Sequence, residues 1–215
     1  MVPDTLAPPA SAGRPGPAAD PVLWLIRHGQ STWNVLGLAQ GHCDQARLTP
    51  LGARQARYVA SQLRGRPIGA LYASDLQRAV ATAAPLAAAL SLPVTTDPRL
   101  RERSLGILEG TAAVAVPPAL SGVAGGYVVD PDAWPPDGES LRDLYRRVAA
   151  FAGDLLSPGA PGEVAVVAHG GTLRALIAYL RGVPVERMTW EPVANGSVVR
   201  LSPRQLRGFT RREQQ

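Results

Sequence analysis

The sequence predicts an α/β fold: one three-layer domain in which a mostly parallel central sheet is flanked by helices. Three observations carry this. Strand-length apolar runs at residues 21–26, 68–73, 94–96 and 163–168 alternate with longer stretches whose apolar residues recur at helical spacing. Two of those runs end in a histidine followed by glycine, Arg27-His28-Gly29 and His169-Gly170-Gly171, and pass directly into helix starts. With 215 residues, 46% of them apolar, the chain suits one domain with a sizeable core.

Residues 1–20 hold five prolines and few large apolar side chains, which predicts a disordered tail and not a secretory signal. Val22, Leu23, Trp24, Leu25 and Ile26 form a buried first strand, so Arg27 and His28 fall at its C-terminal end, where open α/β sheets bind ligands. Gly29 lets the backbone turn, and Ser31 caps the next helix. A loop over residues 35–48 carries Gln40-Gly41-His42-Cys43-Asp44. Thr49 then serves as N-cap and Pro50 as first helical residue of a helix with the stripe Leu51, Ala56, Val59, Ala60 and Leu63, closed by Gly65. After the second strand, Ser74-Asp75 caps a helix running towards Leu90, with Arg78 in its first turn. Residues 94–96 are a third strand.

Residues 111–129 carry no charged side chain. Pro117, Pro118, Gly122, Gly125 and Gly126 predict a mobile lid there, or equally an insertion with no substrate role. Ser140 caps a long helix with Asp143 at the capping-box position, and Leu141, Leu144, Tyr145, Val148, Ala152 and Leu155 form its buried stripe. The fourth strand ends at His169 and a helix over 172–181 follows. Asn195-Gly196 is a turn, residues 196–201 a final strand paired with 205–210, and 211–215 a frayed end. The expected domain is 21–210, with the lid insertion at about 111–135.

The net charge of +5 comes from arginine alone, since the chain has no lysine. These arginines are scattered without an interleaved aromatic stripe, which argues against nucleic acid and for a small phosphate ester as the anionic partner. No apolar run approaches a membrane span. The single cysteine, Cys43, cannot form an intrachain disulfide, and its default role is a bystander. The reading is a cytoplasmic protein, with a homodimer as a candidate assembly.

An arginine and a histidine at a strand end suit a phosphate, because the guanidinium holds two oxygens and the imidazole can attack phosphorus. The run Leu25-Ile26-Arg27-His28-Gly29-Gln30-Ser31-Thr32-Trp33-Asn34 resembles the signature of the histidine phosphatase superfamily, which includes the cofactor-dependent phosphoglycerate mutases. Further segments are similar to that family in the same order. They are Gln40-Gly41 with Leu48-Thr49-Pro50-Leu51-Gly52, Ser74-Asp75-Leu76-Gln77-Arg78-Ala79 through Ala83, Leu100-Arg101-Glu102 through Glu109-Gly110, Gly138-Glu139-Ser140 and His169-Gly170. The likeness spans roughly residues 22–200.

The resemblance implies a phosphoglycerate mutase-like fold and a phosphohistidine formed on His28. It also implies phosphate binding by Arg27, Arg78, Asn34, Gln40, Gly41 and the backbone near Gly170, with His169 as the second active-site histidine. Glu102 would be the proton donor. Exchanging Glu102 for Glu109 is the alternative, and a plain salt bridge from Glu102 to Arg101 or Arg103 is a third reading. His28 should be neutral, its second ring nitrogen donating to a backbone carbonyl, whereas His169 should be better protonated with phosphate bound. No cofactor or metal is required, because arginines take the electrostatic role; the rival is zinc held by His28, His169, Glu102 and Asp44. Mutases of the family resemble one another in a longer insertion with paired basic residues. The stretch between Arg103 and Arg142 lacks arginine, so a phosphatase is favoured over a mutase, and the presence of every expected catalytic residue type speaks against a non-catalytic phosphate-binding protein. The uncharged lid points to a neutral or apolar leaving group.

Overall fold

The computed structural model describes residues 21–157 and 159–202. The expected tail at 1–20, the strand at 205–210 and the chain end at 211–215 lie outside the described residues. Strand β1 (Val22–Arg27) leads to the single-turn helix α1 (Thr32–Val35), and α2 (Pro50–Leu63) follows the loop. Next come β2 (Ala70–Ala73), α3 (Gln77–Leu90) and β3 (Val94–Thr96). A short helix α4 (Pro118–Ser121) and the hairpin β4 (Val123–Ala124) and β5 (Tyr127–Val128) precede α5 (Leu141–Leu155). Strand β6 (Glu163–Ala168), helix α6 (Gly170–Leu180) and strand β7 (Val198–Leu201) complete the order.

The main sheet runs β3-β2-β6-β1-β7, parallel throughout except for β7, which is antiparallel to β1. Side chains alternate across it. Leu23, Leu25, Val164 and Val166 face α5 and α6, packing with Leu144, Val148, Leu173 and Leu176. Trp24, Ile26, Ala165 and Val167 face α2 and α3, packing with Val59, Leu63, Ala83 and Leu86. Both faces of the central strands are therefore covered, which gives the three layers that continuous apolar runs require. Each fully buried leucine here contributes about 1.5–3 kcal/mol.

Thr49 caps α2 by accepting from Gly52 N–H, and Ser140 with Asp143 forms a capping box on α5, as expected. Several local expectations need correction. Leu51 is exposed, because Gly52 is the residue that packs under Gln30. The N-cap of α3 is Leu76, not Ser74-Asp75: the Ser74 hydroxyl accepts from Leu76 N–H while Asp75 pairs with Arg101. On α5, Phe151 is buried and Tyr145 only partly so, since its hydroxyl donates to the Val183 carbonyl at 2.8 Å. Helix α6 begins at Gly170, directly at the histidine, and β7 starts at Val198 and pairs with β1.

The uncharged stretch is folded into α4 and the β4–β5 hairpin. It is tied down by Arg103, whose buried guanidinium donates to the carbonyls of Leu120, Ser121, Ala133 and Glu139.

Candidate active site

The register of β1 on β6 builds the site. Arg27 lies opposite Ala168, and His28 N–H donates to Ala168 O at 2.9 Å. The residues that follow each strand, His28 and His169, therefore emerge side by side, their ring centroids 5.1 Å apart. Gly29 is required by its neighbours: a Cβ there would stand 2.4 Å from the Gly52 carbonyl oxygen. That clearance lets the start of α2 press on the turn, and Gly29 N–H reaches Thr82 Oγ1 of α3 at 3.0 Å.

His28 is buried, and its Nδ1 lies 2.8 Å from Gly29 O. Only a ring N–H can make that bond, so Nδ1 is the protonated nitrogen and Nε2 keeps its lone pair. Burial, then the Arg78 and Arg27 cations, push the His28 imidazole down to about 3, and the bond to Gly29 offsets them only in part. His28 is thus neutral at pH 7, as the sequence leads one to expect. Burial, followed by Arg78, likewise holds His169 well below the usual histidine range. An arriving phosphate dianion works in the opposite direction.

Arg27 and Arg78 are placed by backbone carbonyls. Arg78, 1% exposed, donates to Cys43 O at 2.9 Å and Gly41 O at 2.8 Å. The Gln40-Gly41 loop thus acts on the site partly by holding Arg78. The Gln40 side-chain amide lies 3.0 Å from the Ser31 hydroxyl, and both Gln40 and Gly41 line the pocket. Arg27 donates to Val193 O. Desolvation pulls both guanidinium pKa values down, and Glu102 partly restores them. The Nε atoms of Arg27 and Arg78 and both ring nitrogens of His169 are buried without a hydrogen-bond partner. Unpaired buried polar groups cost free energy, so the two guanidinium Nε–H donors lining the pocket, with the unpaired His169 ring beside His28, mark a candidate anion site. The pocket has a volume of about 310 Å³.

Asn34 joins the site through a capping box with Ser31. Its Oδ1 accepts from Ser31 N–H, Ser31 Oγ and Asn195 Nδ2, so the amide NH₂ is the end it can offer a ligand.

Glu102 enters at the N-terminus of α6. Its Oε1 accepts from Arg103 N–H at 2.9 Å and Thr172 N–H at 3.2 Å, and its Oε2 from Gly171 N–H at 3.0 Å. Arg147 fixes the supporting backbone by donating to the carbonyls of Arg99, Arg101 and Glu102, while pairing with Glu139 at 2.7 Å. Glu102 lines the pocket, whereas Glu109 points into the loops and accepts from His42 N–H at 2.8 Å and Leu105 N–H at 3.1 Å. The salt-bridge reading of Glu102 fails, since Arg101 pairs with Asp75 and Arg103 is committed to carbonyls. Asp44, named in the zinc alternative, instead accepts from Gln77 N–H at the start of α3 at 2.7 Å.

Every sequence-derived site residue except Gly170 is a lining residue or, like His169, a buried neighbour of one. Gly170 lies beneath: a Cβ on it would meet Arg174 Nη1 at 3.2 Å and Arg27 Nε at 3.5 Å. Three residues were missed. Asn195 bridges the His28 carbonyl, at 3.1 Å, and Asn34; Arg174 and Trp190 line the pocket. Arg174 could have been found, because it stands one helical turn beyond Gly170 and shares its face. Asn195 and Trp190 carried no signal beyond a turn and a loop.

The sequence profile of the histidine phosphatase superfamily (branch 1) matches residues 23–212. A Yersinia enterocolitica protein named probable phosphoglycerate mutase GpmB is 36% identical over 170 residues, covering 75% of each chain. Among solved structures, a mycobacterial glucosyl-3-phosphoglycerate phosphatase with VO3 superposes with a TM-score of 0.74 at 33% identity, covering 85% of this chain and 92% of that one. A candidate α-ribazole-5′-phosphate phosphatase from Escherichia coli gives 0.73 at 31% identity, over 84% and 89%. With its strand-end histidines, its paired arginines and this profile match, the chain belongs to the histidine phosphatase superfamily.

Proposed function

We propose that the protein is a metal-independent phosphatase that hydrolyses small-molecule phosphate monoesters through a phosphohistidine on His28. The observation that carries this is the neutral His28, its Nδ1 fixed by Gly29 O, beside Arg27 and Arg78, whose Nε atoms have no hydrogen-bond partner. In the first half-reaction the Nε2 lone pair attacks phosphorus, the P–O ester bond breaks, and Glu102 gives its proton to the departing oxygen. In the second, water attacks the phosphohistidine and its proton returns to Glu102, releasing phosphate and neutral His28. Arg27, Arg78, His169 and the Asn34 amide gather the charge on the equatorial oxygens.

Phosphatase names among the structural relatives support this reading. The name of the Yersinia relative supports a second one, a phosphoglycerate mutase, in which the phosphoryl group on the histidine passes to a second hydroxyl rather than to water. The uncharged wall formed by residues 111–129 favours the first reading, since it lacks the paired basic residues that the mutases resemble one another in having. The test is phosphate release from an aryl phosphate in EDTA, with His28→Ala beside the wild type. Release abolished by the substitution is the expected result. Release that persists in the variant refutes the nucleophile, and phosphoglycerate isomerisation faster than hydrolysis would replace the phosphatase reading by the mutase.

A further inference from the structure

One pocket cation has no task in the scheme above. Arg174, on α6, has its guanidinium carbon 4.7 Å from the centre of the Trp190 ring, and its Nε donates to Glu191 O. Among the described residues no acceptor engages its two terminal nitrogens and no carboxylate bridges to it. The other lining cations are accounted for: Arg27 and Arg78 flank His28, and Arg103 is spent on four carbonyls. The lining also includes Leu38, Leu105, Ala113, Val116 and Val123, an apolar group. A second negative charge on a bound molecule would therefore find only Arg174.

Its position identifies which part of a substrate it meets. A Cβ on Gly171 would lie 2.4 Å from Glu102 Oε1 and 3.3 Å from the Trp190 ring, so the Trp190–Arg174 pair stands beside the proton donor. That is the side on which the ester oxygen leaves. Arg174 also approaches Arg27, each within 3.5 Å of the same point over Gly170, and an anion nearby relieves the repulsion between them.

We propose that Arg174, braced by the Trp190 face, binds a second oxyanion, a carboxylate or a further phosphate, carried on the leaving group of the substrate. This rests on the phosphatase reading. The stacked, backbone-anchored guanidinium is already ordered, so little conformational freedom is lost when it binds. The apolar lining residues then take the uncharged part of the same leaving group. The neutral leaving group expected from the lid composition describes that half alone.

The test compares kcat/KM for two matched pairs: carboxyphenyl against phenyl phosphate, and propanediol bisphosphate against propyl phosphate. In Arg174→Gln the ratio within the pair that carries the recognised anion should fall about tenfold to a hundredfold relative to wild type, the scale of a charge-assisted hydrogen bond. Arg174→Lys should recover part of it, and Trp190→Leu should lower the same ratio in a background that retains the arginine. The carboxylate and bisphosphate arms distinguish the two sources. Ratios unchanged in both pairs, with or without a uniform loss of rate, would overturn the proposal. Failure of the underlying reading is seen separately, as turnover that survives His28→Ala.

Discussion

Gly171→Ala separates the position of Glu102 from the stability of the fold. The added methyl would sit 2.4 Å from Glu102 Oε1, and ordinary contact begins near 3.4 Å. The carboxylate must therefore retreat by about 1 Å. Its bonds are 2.9 Å, 3.0 Å and 3.2 Å long, so that displacement carries at least the two from α6 beyond hydrogen-bond length. A misplaced general acid loses up to about 10²–10⁴ in rate on an alkyl phosphate, whose leaving oxygen needs a proton. Nitrophenyl phosphate, which departs as a stable phenolate, should lose far less in kcat/KM, a quantity that stops at phosphoryl transfer. The fold should keep its architecture, at a cost of about 1–3 kcal/mol for each buried N–H left without its acceptor. Gly171 has no positive φ, and alanine in a helix is more favourable than glycine by up to about 1 kcal/mol. The assay is kcat/KM on both esters, with a urea melt and Glu102→Gln in parallel. Alkyl phosphate turnover within about twofold of wild type in a fully folded variant would refute the placement of Glu102 as the proton donor.

Acid sensitivity follows from the buried histidines. Because His28 titrates at about 3 in the folded chain and near 6.5 unfolded, acid favours the unfolded state between those values. Between pH 7 and pH 5 this costs about 2 kcal/mol at His28. His169 and His42 are shifted in the same direction, so His28→Asn should remove about 2 kcal/mol of the acid-linked loss in urea melts at the two pH values and leave the remainder. An unchanged pH dependence in that variant would mean that His28 is not buried neutral. Arg103→Met strips the partner from four backbone carbonyls. It should destabilise the chain by at least about 2 kcal/mol and speed proteolysis within residues 111–133. Equal stability and equal proteolysis would show that Arg103 does not hold that wall.

The layers and the histidine pair were legible because they rest on local patterns. Continuous apolar runs such as residues 163–168 leave a parallel strand covered on both faces as the economical solution, and glycine after each strand-end histidine announces a turn with crowded neighbours. Capping was legible where the side chain does the capping, at Thr49 and Ser140, and was misread at Ser74. There the buried serine turns inward and the aspartate finds Arg101, a partner 26 residues away in the chain. Phe151 and Leu51 exchanged places with the reading for a similar reason: amphipathic spacing locates a face, but which residue at its edge is buried depends on the element packed against it.

The missed site residues share a different cause. Asn195 and Trp190 follow α6 in an irregular stretch whose course is set by β7 returning antiparallel along β1. Gly196 N–H bonds back to the carbonyls of Arg27 and His28, and that contact swings Asn195 onto Asn34. Nothing in the residues around 195 encodes the partner, because the pairing is non-local and its energy lies in the sheet edge. The same return path carries Val193, whose carbonyl orients Arg27, and Glu191, whose carbonyl orients Arg174. One connection thus orients both Arg27, the proposed phosphate ligand, and Arg174, the proposed ligand of the leaving group. A relative that altered only residues 189–196 could change what it hydrolyses while keeping every motif of its catalytic core.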